Sequence, residues 1–136
     1  LTNRFSSVVA DGAQSAQAAT QHLLDSGSKR IAFIGGANHL YIVKQRKHGY
    51  LEALRANKIP IEKELVECRR IDYDEGMRAT EALLALPNPP DAILAMNDTL
   101  ARSRCFLRSC CIGTLWLLPP WKSSKVTACA FRKISP

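Results

Sequence analysis

Apolar side chains along the first hundred residues follow two alternating periods, one typical of helices and one typical of buried strands. Short, nearly continuous apolar runs predict strands at residues 7–10, 30–34, 64–68 and 92–95. Apolar residues at helical spacing predict helices at residues 13–25, 41–57 and 74–86, with another that opens at Asn97. Strands that alternate with helices in this way indicate a doubly wound α/β fold with a parallel sheet.

The regular pattern ends near residue 101, and the charge distribution changes at the same place. Residues 102–136 show neither helical nor strand period over a useful length. Residues 1–100 hold twelve Lys and Arg and all twelve Asp and Glu, whereas the rest of the chain holds seven basic residues and no acid. The net charge of +7 therefore comes entirely from the C-terminal part, and it does not indicate a nucleic-acid surface in the α/β region.

The signatures of membrane, exported and metal-binding proteins do not occur. The chain has no apolar run of roughly eighteen residues, and its first residues lack the pattern of a signal peptide. Four of the five cysteines lie between residues 105 and 129 at a spacing that fits no zinc motif, and Cys68 reads as a small core residue. The first residue is not Met, so we expect the chain to be part of a longer protein. We expect no metal site.

The chain also lacks the groupings on which common enzymes depend. Gly35-Gly36 follows a predicted strand, but the full glycine-rich nucleotide motif and the Walker motif do not occur, so a tight turn is the simpler interpretation. His22, His39 and His48 stand apart from any Ser, Cys or Asp partner that nucleophilic catalysis would need. Surface or packing roles are therefore favoured for them. The sequence predicts neither catalysis nor a cofactor.

A series of short motifs runs in a fixed order through residues 8–101. They are Val8-Val9-Ala10-Asp11, His22-Leu23-Leu24 with Gly27, Lys29 to Gly36, Arg46 to Tyr50, Gly76, Pro90 to Ile93, and Asn97-Asp98 with Ala101. Each motif is common alone, and their order is the specific signal. In this order the chain resembles the effector-binding region of LacI/GalR transcription regulators.

The resemblance implies an incomplete lobe of the type I periplasmic-binding-protein fold. Residues 1–11 would form the end of an N-terminal lobe and a hinge strand, and residues 12–101 would form part of the C-terminal lobe. A helix-turn-helix and most of the first lobe would precede Leu1. The resemblance also implies a small effector, such as a sugar, held in the cleft between the lobes.

The resemblance carries binding roles to particular residues of this chain. Arg46 would face the cleft and hold ligand hydroxyls or a carboxylate, because its planar donors suit paired oxygens. Asn97 would offer both a donor and an acceptor, and Asp98 would cap the next helix. Asp11 would occupy an acidic hinge position. Tyr73 would stack on the ligand ring, although its spacing to Gly76 is not the family's usual one.

Purely structural interpretations of these residues remain open. Arg46 lies between Lys44 and Lys47 and could belong to a solvated basic face, and Asn97-Asp98 could serve only as a helix cap. The chain also departs from the family where relatives often carry polar ligand contacts. Leu40 and Ile42 stand there, which favours a more apolar or differently posed effector.

For the intact parent, the resemblance implies effector-controlled transcription by a cytoplasmic homodimer that binds palindromic operator DNA through its missing head. One alternative is an exported sugar-binding component of a transporter, which an upstream signal peptide would favour. A second alternative is a doubly wound enzyme that acts on a nucleotide or phosphorylated substrate. That enzyme would need a phosphate loop and a catalytic grouping, and neither occurs.

The C-terminal part departs from the family altogether, because relatives continue with a helix, a G-x-x-I-P loop and further core strands. Residues 121–135 can be back-translated with synonymous codons so that a displaced frame reads MEVIKSDGLRIPENI. We therefore expect residues 102–136 to be an out-of-frame product. The missing strands would leave the sheet with an open edge, so we expect no sharp two-state unfolding. The alternative is a genuine basic tail that binds nucleic acid through Lys and Arg interleaved with aromatic residues.

The frameshift hypothesis predicts that the coding DNA contains a single-base slip near residue 102. Restoring the frame should yield the string above, because the displaced frame already contains the expected loop. Sequencing the DNA decides the matter, and the hypothesis fails if no single-base change recovers that string.

Overall fold

The computed structural model describes residues 11–101 and 127–130, over which four α-helices, one short 3₁₀ helix and four strands alternate along the chain. In chain order they are α1 (Gly12–Asp25), β1 (Ile31–Gly35), α2 (Tyr41–Ala56), the 3₁₀ helix (Lys63–Leu65), β2 (Val66–Cys68), α3 (Tyr73–Leu84), β3 (Ala92–Ala95), α4 (Asp98–Ala101) and β4 (Thr127–Ala130). The alternation predicted from the apolar pattern is confirmed, apart from residues 7–10, which lie outside the described residues.

Three parallel strands form the part of the sheet that the apolar pattern predicted. The strand order is β2-β1-β3-β4, and β1 pairs in parallel with both β2 and β3. Because β2 and β3 lie on opposite sides of β1, right-handed crossovers place α2 and α3 on opposite faces of the sheet. In keeping with this, α1 packs against α2, and α3 packs against α4. The doubly wound α/β class is thereby confirmed.

The fourth strand differs from the prediction, since the C-terminal part was expected to contain no strand. β4 pairs antiparallel with β3, from Ala92 opposite Ala130 to Ala95 opposite Thr127. The expectation of an open edge beside β3 was therefore wrong. A four-residue strand needs only a backbone that can complete the hydrogen-bond ladder, and this length is too short for a period-two pattern to stand out.

The predicted strand at residues 64–68 is shorter than expected. Its first part forms the 3₁₀ helix Lys63–Leu65, and only Val66–Cys68 pairs with β1. The three residues of β2 are half-buried, whereas β1 and β3 are buried along their whole length. A strand that is covered on both faces needs apolar side chains at every position, which explains the continuous apolar runs of β1 and β3.

Helix α2 is anchored to the sheet by Tyr50. Its ring stacks on Phe33 with 5.4 Å between the ring centroids, and its hydroxyl donates a hydrogen bond of 2.8 Å to the carbonyl oxygen of Ile31. Burial raises the pKa of the phenol well above its usual range, so the group stays neutral. A buried tyrosine with its hydroxyl satisfied adds apolar contact without an unpaired polar group.

Asp91 joins the amino-terminal ends of β1 and β3. Its carboxylate accepts hydrogen bonds from the backbone N–H groups of Lys29, at 2.8 Å, and Arg30, at 3.1 Å, just before β1. The Arg30 side chain pairs in turn with Glu62 at 2.5 Å and Glu64 at 2.8 Å, which raises its pKa. The Pro-Asp motif of the sequence therefore ties the start of β3 to the start of β1.

Helices α1 and α2 approach each other most closely at Gly49. A Cβ atom on Gly49 would lie 2.0 Å from the carbonyl oxygen of Ala13 and 3.0 Å from the backbone nitrogen of Gln17. Real side chains do not tolerate such a contact with backbone, so glycine at this position sets the spacing of the two helices.

The substitution Gly49→Ala should lower the free energy of unfolding by about 2 kcal/mol, because the added methyl group forces the helices apart. Helix propensity alone predicts the opposite sign, a gain of up to about 1 kcal/mol. Chemical denaturation of the two proteins measures the difference. The exposed residue Lys44 of the same helix provides the control, since Lys44→Ala should stay within about 0.5 kcal/mol of the unmodified chain. A stabilised Gly49→Ala variant would show that the contact does not limit packing.

Candidate functional site

The carboxyl ends of β1 and β3 form the crevice at which an open α/β sheet can hold a ligand. The two strands are neighbours, and the chain leaves them toward helices on opposite faces of the sheet. In such sheets, ligands bind where the connections diverge, outside the carboxyl ends of the strands. We define the switch-point crevice by Gly35 and Gly36 at the end of β1, Met96 and Asn97 at the end of β3, and Arg46 on α2.

Arg46 is brought to this crevice by the first turns of α2. Its Nη1 donates a hydrogen bond to the carbonyl oxygen of Met96, and its side chain is half-buried. Its Nε is buried without a hydrogen-bond partner among the described residues, and burial lowers the pKa of the guanidinium. No ion pair of the described residues includes Arg46, so its remaining donors can serve a bound molecule.

The neighbouring cations differ from Arg46. Lys44 is exposed. Lys47 is half-buried, and its positive charge acts to lower the pKa of the Cys68 thiol. A solvated basic face would leave all three side chains in water. Instead, two of the three are half-buried, and one of these, Arg46, spans from α2 to the end of β3.

Asn97 lies directly after β3 and begins α4. Its Oδ1 accepts a hydrogen bond of 3.0 Å from the backbone N–H of Leu100, which makes Asn97 the cap of this helix. Asp98 is the first residue of α4, so the residue in the cap position is Asn97. The position of the Asp98 side chain lies outside the description. The cap uses the side-chain oxygen of Asn97, so the amide nitrogen remains a donor.

Asp11 has a structural task at the start of α1. Its Oδ1 accepts hydrogen bonds of 3.0 Å from the backbone N–H groups of both Ala13 and Gln14. This is the arrangement of an N-cap, and it stabilises the helix by about 1 kcal/mol. The hinge position proposed for Asp11 depends on residues 1–10, which are not described.

Tyr73 is the first residue of α3, and half of its surface is exposed. The helix is capped by Asp72, whose carboxylate accepts a hydrogen bond of 2.8 Å from the backbone N–H of Glu75. The cap of α3 is therefore Asp72, and the Tyr73 side chain takes no part in it. The ring is thus exposed at the start of a helix that follows β2.

Of the two apolar residues that depart from the family pattern, Leu40 and Ile42, only one is exposed. Leu40 packs partly buried against the core and precedes α2, so its apolar character is explained by packing. Ile42 is 36% exposed, and its Cδ1 lies 3.0 Å from the point that a Cβ atom on Gly12 would occupy. Of these two residues, Ile42 is the exposed one, so it can alter the polarity of the surface beside Arg46.

Exposed apolar residues gather on the elements that follow the carboxyl ends of the strands. Among the described residues, four of the six large exposed hydrophobic side chains belong to the segments that follow β1 and β2: Tyr41, Ile42, Ile71 and Tyr73. A polar group surrounded by apolar surface is the usual composition of a small-molecule site.

The other candidate chemistry does not assemble. Across residues 11–101 and 127–130, no group of three His, Cys, Asp or Glu side chains could hold a metal ion. His39 and His48 are exposed, and His22 lies 3.4 Å from the hydroxyl of Ser26. Burial raises the pKa of the Cys68 thiol, the direction that disfavours a reactive thiolate. No helix of the described part is long and apolar enough to cross a membrane.

Met96 is the residue of the crevice that the sequence did not reveal. It is buried, its N–H donates to the carbonyl oxygen of Ile34 at 2.9 Å, and its Sδ accepts from the N–H of Gly36 at 3.1 Å. A methionine directly after a buried strand is indistinguishable in the sequence from an ordinary core residue.

Comparison with known proteins agrees with this geometry. Residues 3–108 match the family described as periplasmic binding proteins and sugar binding domain of LacI family. The chain is 38% identical over 97 residues to the "Probable HTH-type transcriptional repressor ExuR" of Bacillus subtilis, covering 71% of this chain and 29% of that protein. It is 37% identical over 105 residues to catabolite control protein A of Priestia megaterium, covering 74% and 30%.

Solved structures show the same fold. A LacI family transcriptional regulator from Mycobacterium smegmatis is 31% identical, with a TM-score of 0.66, and the match covers 75% of this chain and 38% of that one. A regulatory protein of LacI family from Chloroflexus aggregans is 28% identical, with a TM-score of 0.67, and the match covers 74% and 38%.

The chain spans less than a third of the length of the two curated relatives, both of which carry the names of regulators rather than enzymes. The matched residues include the whole switch-point crevice. The chain belongs to the LacI family, and its residues 3–108 are part of the periplasmic-binding-protein-like, sugar-binding domain of that family.

Proposed function

We propose that this chain is part of a ligand-responsive transcription regulator and that it contributes one wall of the effector site. The observation that carries the proposal is the state of Arg46 in the switch-point crevice. Its Nη1 is fixed on the Met96 carbonyl, while its buried Nε has no partner among the described residues. The Nε of Arg30 is also buried without a partner among the described residues, so an unpaired Nε does not by itself mark a ligand site. At Arg46 it coincides with a position at the carboxyl ends of the strands, where open α/β sheets bind ligands.

The side chains near the crevice fit a sugar or sugar derivative. The guanidinium of Arg46 can donate to two oxygens at once, and the free amide nitrogen of Asn97 can donate to a third. The exposed rings of Tyr73 and Tyr41 supply apolar surface on which the C–H face of a sugar could pack. We propose supporting roles for Asp98 beside the crevice and for Asp11 at the hinge.

The mechanism that we propose couples this site to DNA. An effector that binds better when two lobes are closed favours the closed arrangement by its difference in affinity for the two arrangements. In a cytoplasmic homodimer with DNA-binding heads, that bias would change operator affinity by about 1–3 kcal/mol. Operator DNA would be contacted only by a head outside this sequence.

The regulator is favoured over the two alternatives. Two relatives carry the name of a transcriptional repressor, which supports a regulator over an exported component of a transporter. The same names are those of repressors and not of enzymes, which supports ligand binding over an enzymatic role.

Replacement of Arg46 should weaken effector binding. In a full-length protein that carries this lobe, Arg46→Ala should raise the Kd of the bound sugar at least tenfold, because a charge-assisted hydrogen bond contributes about 1.5–3 kcal/mol. Calorimetric titration with D-glucose, D-ribose and D-glucuronate first identifies the sugar that binds. Lys44→Ala, on the exposed face of the same helix, should leave the Kd unchanged. Equal affinities for the Arg46→Ala and unmodified proteins would exclude Arg46 from the site.

Two substitutions separate the capping role of Asn97 from its proposed ligand role. Asn97→Asp retains an oxygen that can cap α4 and removes the amide donor, so stability should hold within about 0.5 kcal/mol while affinity falls. Asn97→Ala removes both groups and should also lower the free energy of unfolding by about 1 kcal/mol. Denaturation and calorimetry of both variants give the comparison. Unchanged affinity in Asn97→Asp would show that Asn97 only caps the helix.

A further inference from the structure

Met96 uses three separate polar groups to join the elements of the switch-point crevice. Its backbone N–H donates to Ile34 and extends the β1–β3 ladder by one residue. Its carbonyl oxygen accepts from Nη1 of Arg46, which joins β3 to α2. Its Sδ accepts from the N–H of Gly36, which joins β3 to the turn after β1.

The contact between sulfur and amide is the unusual one of the three. A thioether is a weak acceptor, and a backbone N–H seldom depends on one. Gly36 is buried, and the Met96 side chain is only 4% exposed, so water does not readily replace the sulfur. The N–H of Gly36 therefore depends on the Met96 side chain for its pairing.

The turn after β1 is also held from its other side. The N–H of Arg69 donates to the carbonyl oxygen of Gly35 at 3.1 Å. A Cβ atom on Gly36 would lie 2.4 Å from Cγ1 of Ile71, so the turn is covered closely by the segment that follows β2. Met96 contacts the turn through its sulfur, and the same residue presents its carbonyl oxygen to Arg46.

We propose that Met96 is a positioning residue for the effector site, an inference that rests on the proposed ligand role of Arg46. The sulfur contact fixes the Gly35-Gly36 turn against the end of β3. Because the carbonyl of the same residue holds Arg46, the turn and the guanidinium keep one relative position. Met96 reaches the bound molecule only through these groups and does not touch it.

The test compares Met96→Leu with Met77→Leu in the full 136-residue chain. Leucine keeps nearly the same volume as methionine and removes the sulfur acceptor. Met77 is the only other methionine, and it is half-buried within α3 rather than at the end of a strand, so it provides the matched control. Hydrogen exchange observed by NMR reports on the Gly36 amide, the Nε–H of Arg46 and the core amides of Phe33 and Leu94.

We expect Met96→Leu to speed exchange of the Gly36 amide at least tenfold and that of the Arg46 Nε–H about threefold, while Phe33 and Leu94 change less than twofold. Met77→Leu should change none of the four. Equal acceleration of all four groups in Met96→Leu would indicate a general packing role and overturn the proposal. Exchange of the Gly36 amide within twofold of the unmodified chain would overturn it as well.

A second measurement remains available if Met96→Leu does not fold. In the unmodified chain labelled with ⁷⁷Se-selenomethionine, the Gly36 amide proton should couple to the selenium of residue 96 and exchange slowly. An amide that exchanges at the rate of a free loop, without this coupling, would contradict the proposal. Neither measurement requires an effector. A failure of the sugar titrations would therefore reject the proposed function and the effector-positioning role that rests on it, while the exchange rates would still decide whether the Met96 sulfur holds the Gly35-Gly36 turn.

Discussion

The parallel pairing of β1 with β3 is the interaction on which the rest of the structure depends. Both strands are buried along their whole length, and their pairing runs from Ile31 opposite Ala92 to Ile34 opposite Ala95. The pairing is reinforced at both ends, by the carboxylate of Asp91 before β1 and by the N–H of Met96 after β3. Because the two strands are neighbours with diverging connections, this pairing also creates the crevice in which the candidate site lies.

Helix α2 connects the core to the crevice. Tyr50, near its middle, fixes the helix on β1 through a ring stack and a buried hydrogen bond. Arg46, one turn earlier, reaches the end of β3. Gly49 lies between them and allows α1 to pack against the same helix. The position of Arg46 is thus set by packing deep in the domain, and a change in that packing should be felt at the crevice.

The sequence predicts the parallel core well, because β1 and β3 need apolar residues at every position and the helices need them at helical spacing. It also indicates Arg46 and Asn97, through the resemblance to a family. It cannot predict the assignment of the α4 cap to Asn97 in place of Asp98, since either residue type can cap a helix and only the backbone geometry decides.

Two other features depend on contacts between distant segments and leave no local signal. The sulfur of Met96 meets Gly36 across a separation of sixty residues, and β4 pairs with β3 across a stretch whose sequence has no strand period. Pairing of this kind follows from which backbone groups remain free when the core has formed. Leu40 is a case in which a local signal had another cause. Its apolar character suggested an altered ligand surface, and packing against the core explains it.

The central claim is that a small effector binds at the carboxyl ends of β1 and β3 and contacts Arg46. A crystal structure of a full-length protein that carries this lobe, solved with its bound sugar, tests this most directly. The account predicts ligand oxygens within hydrogen-bond distance of the Arg46 guanidinium and the Asn97 amide, with the Met96 carbonyl still bound to Nη1. A ligand that is held elsewhere, with Arg46 turned into solvent, would contradict it.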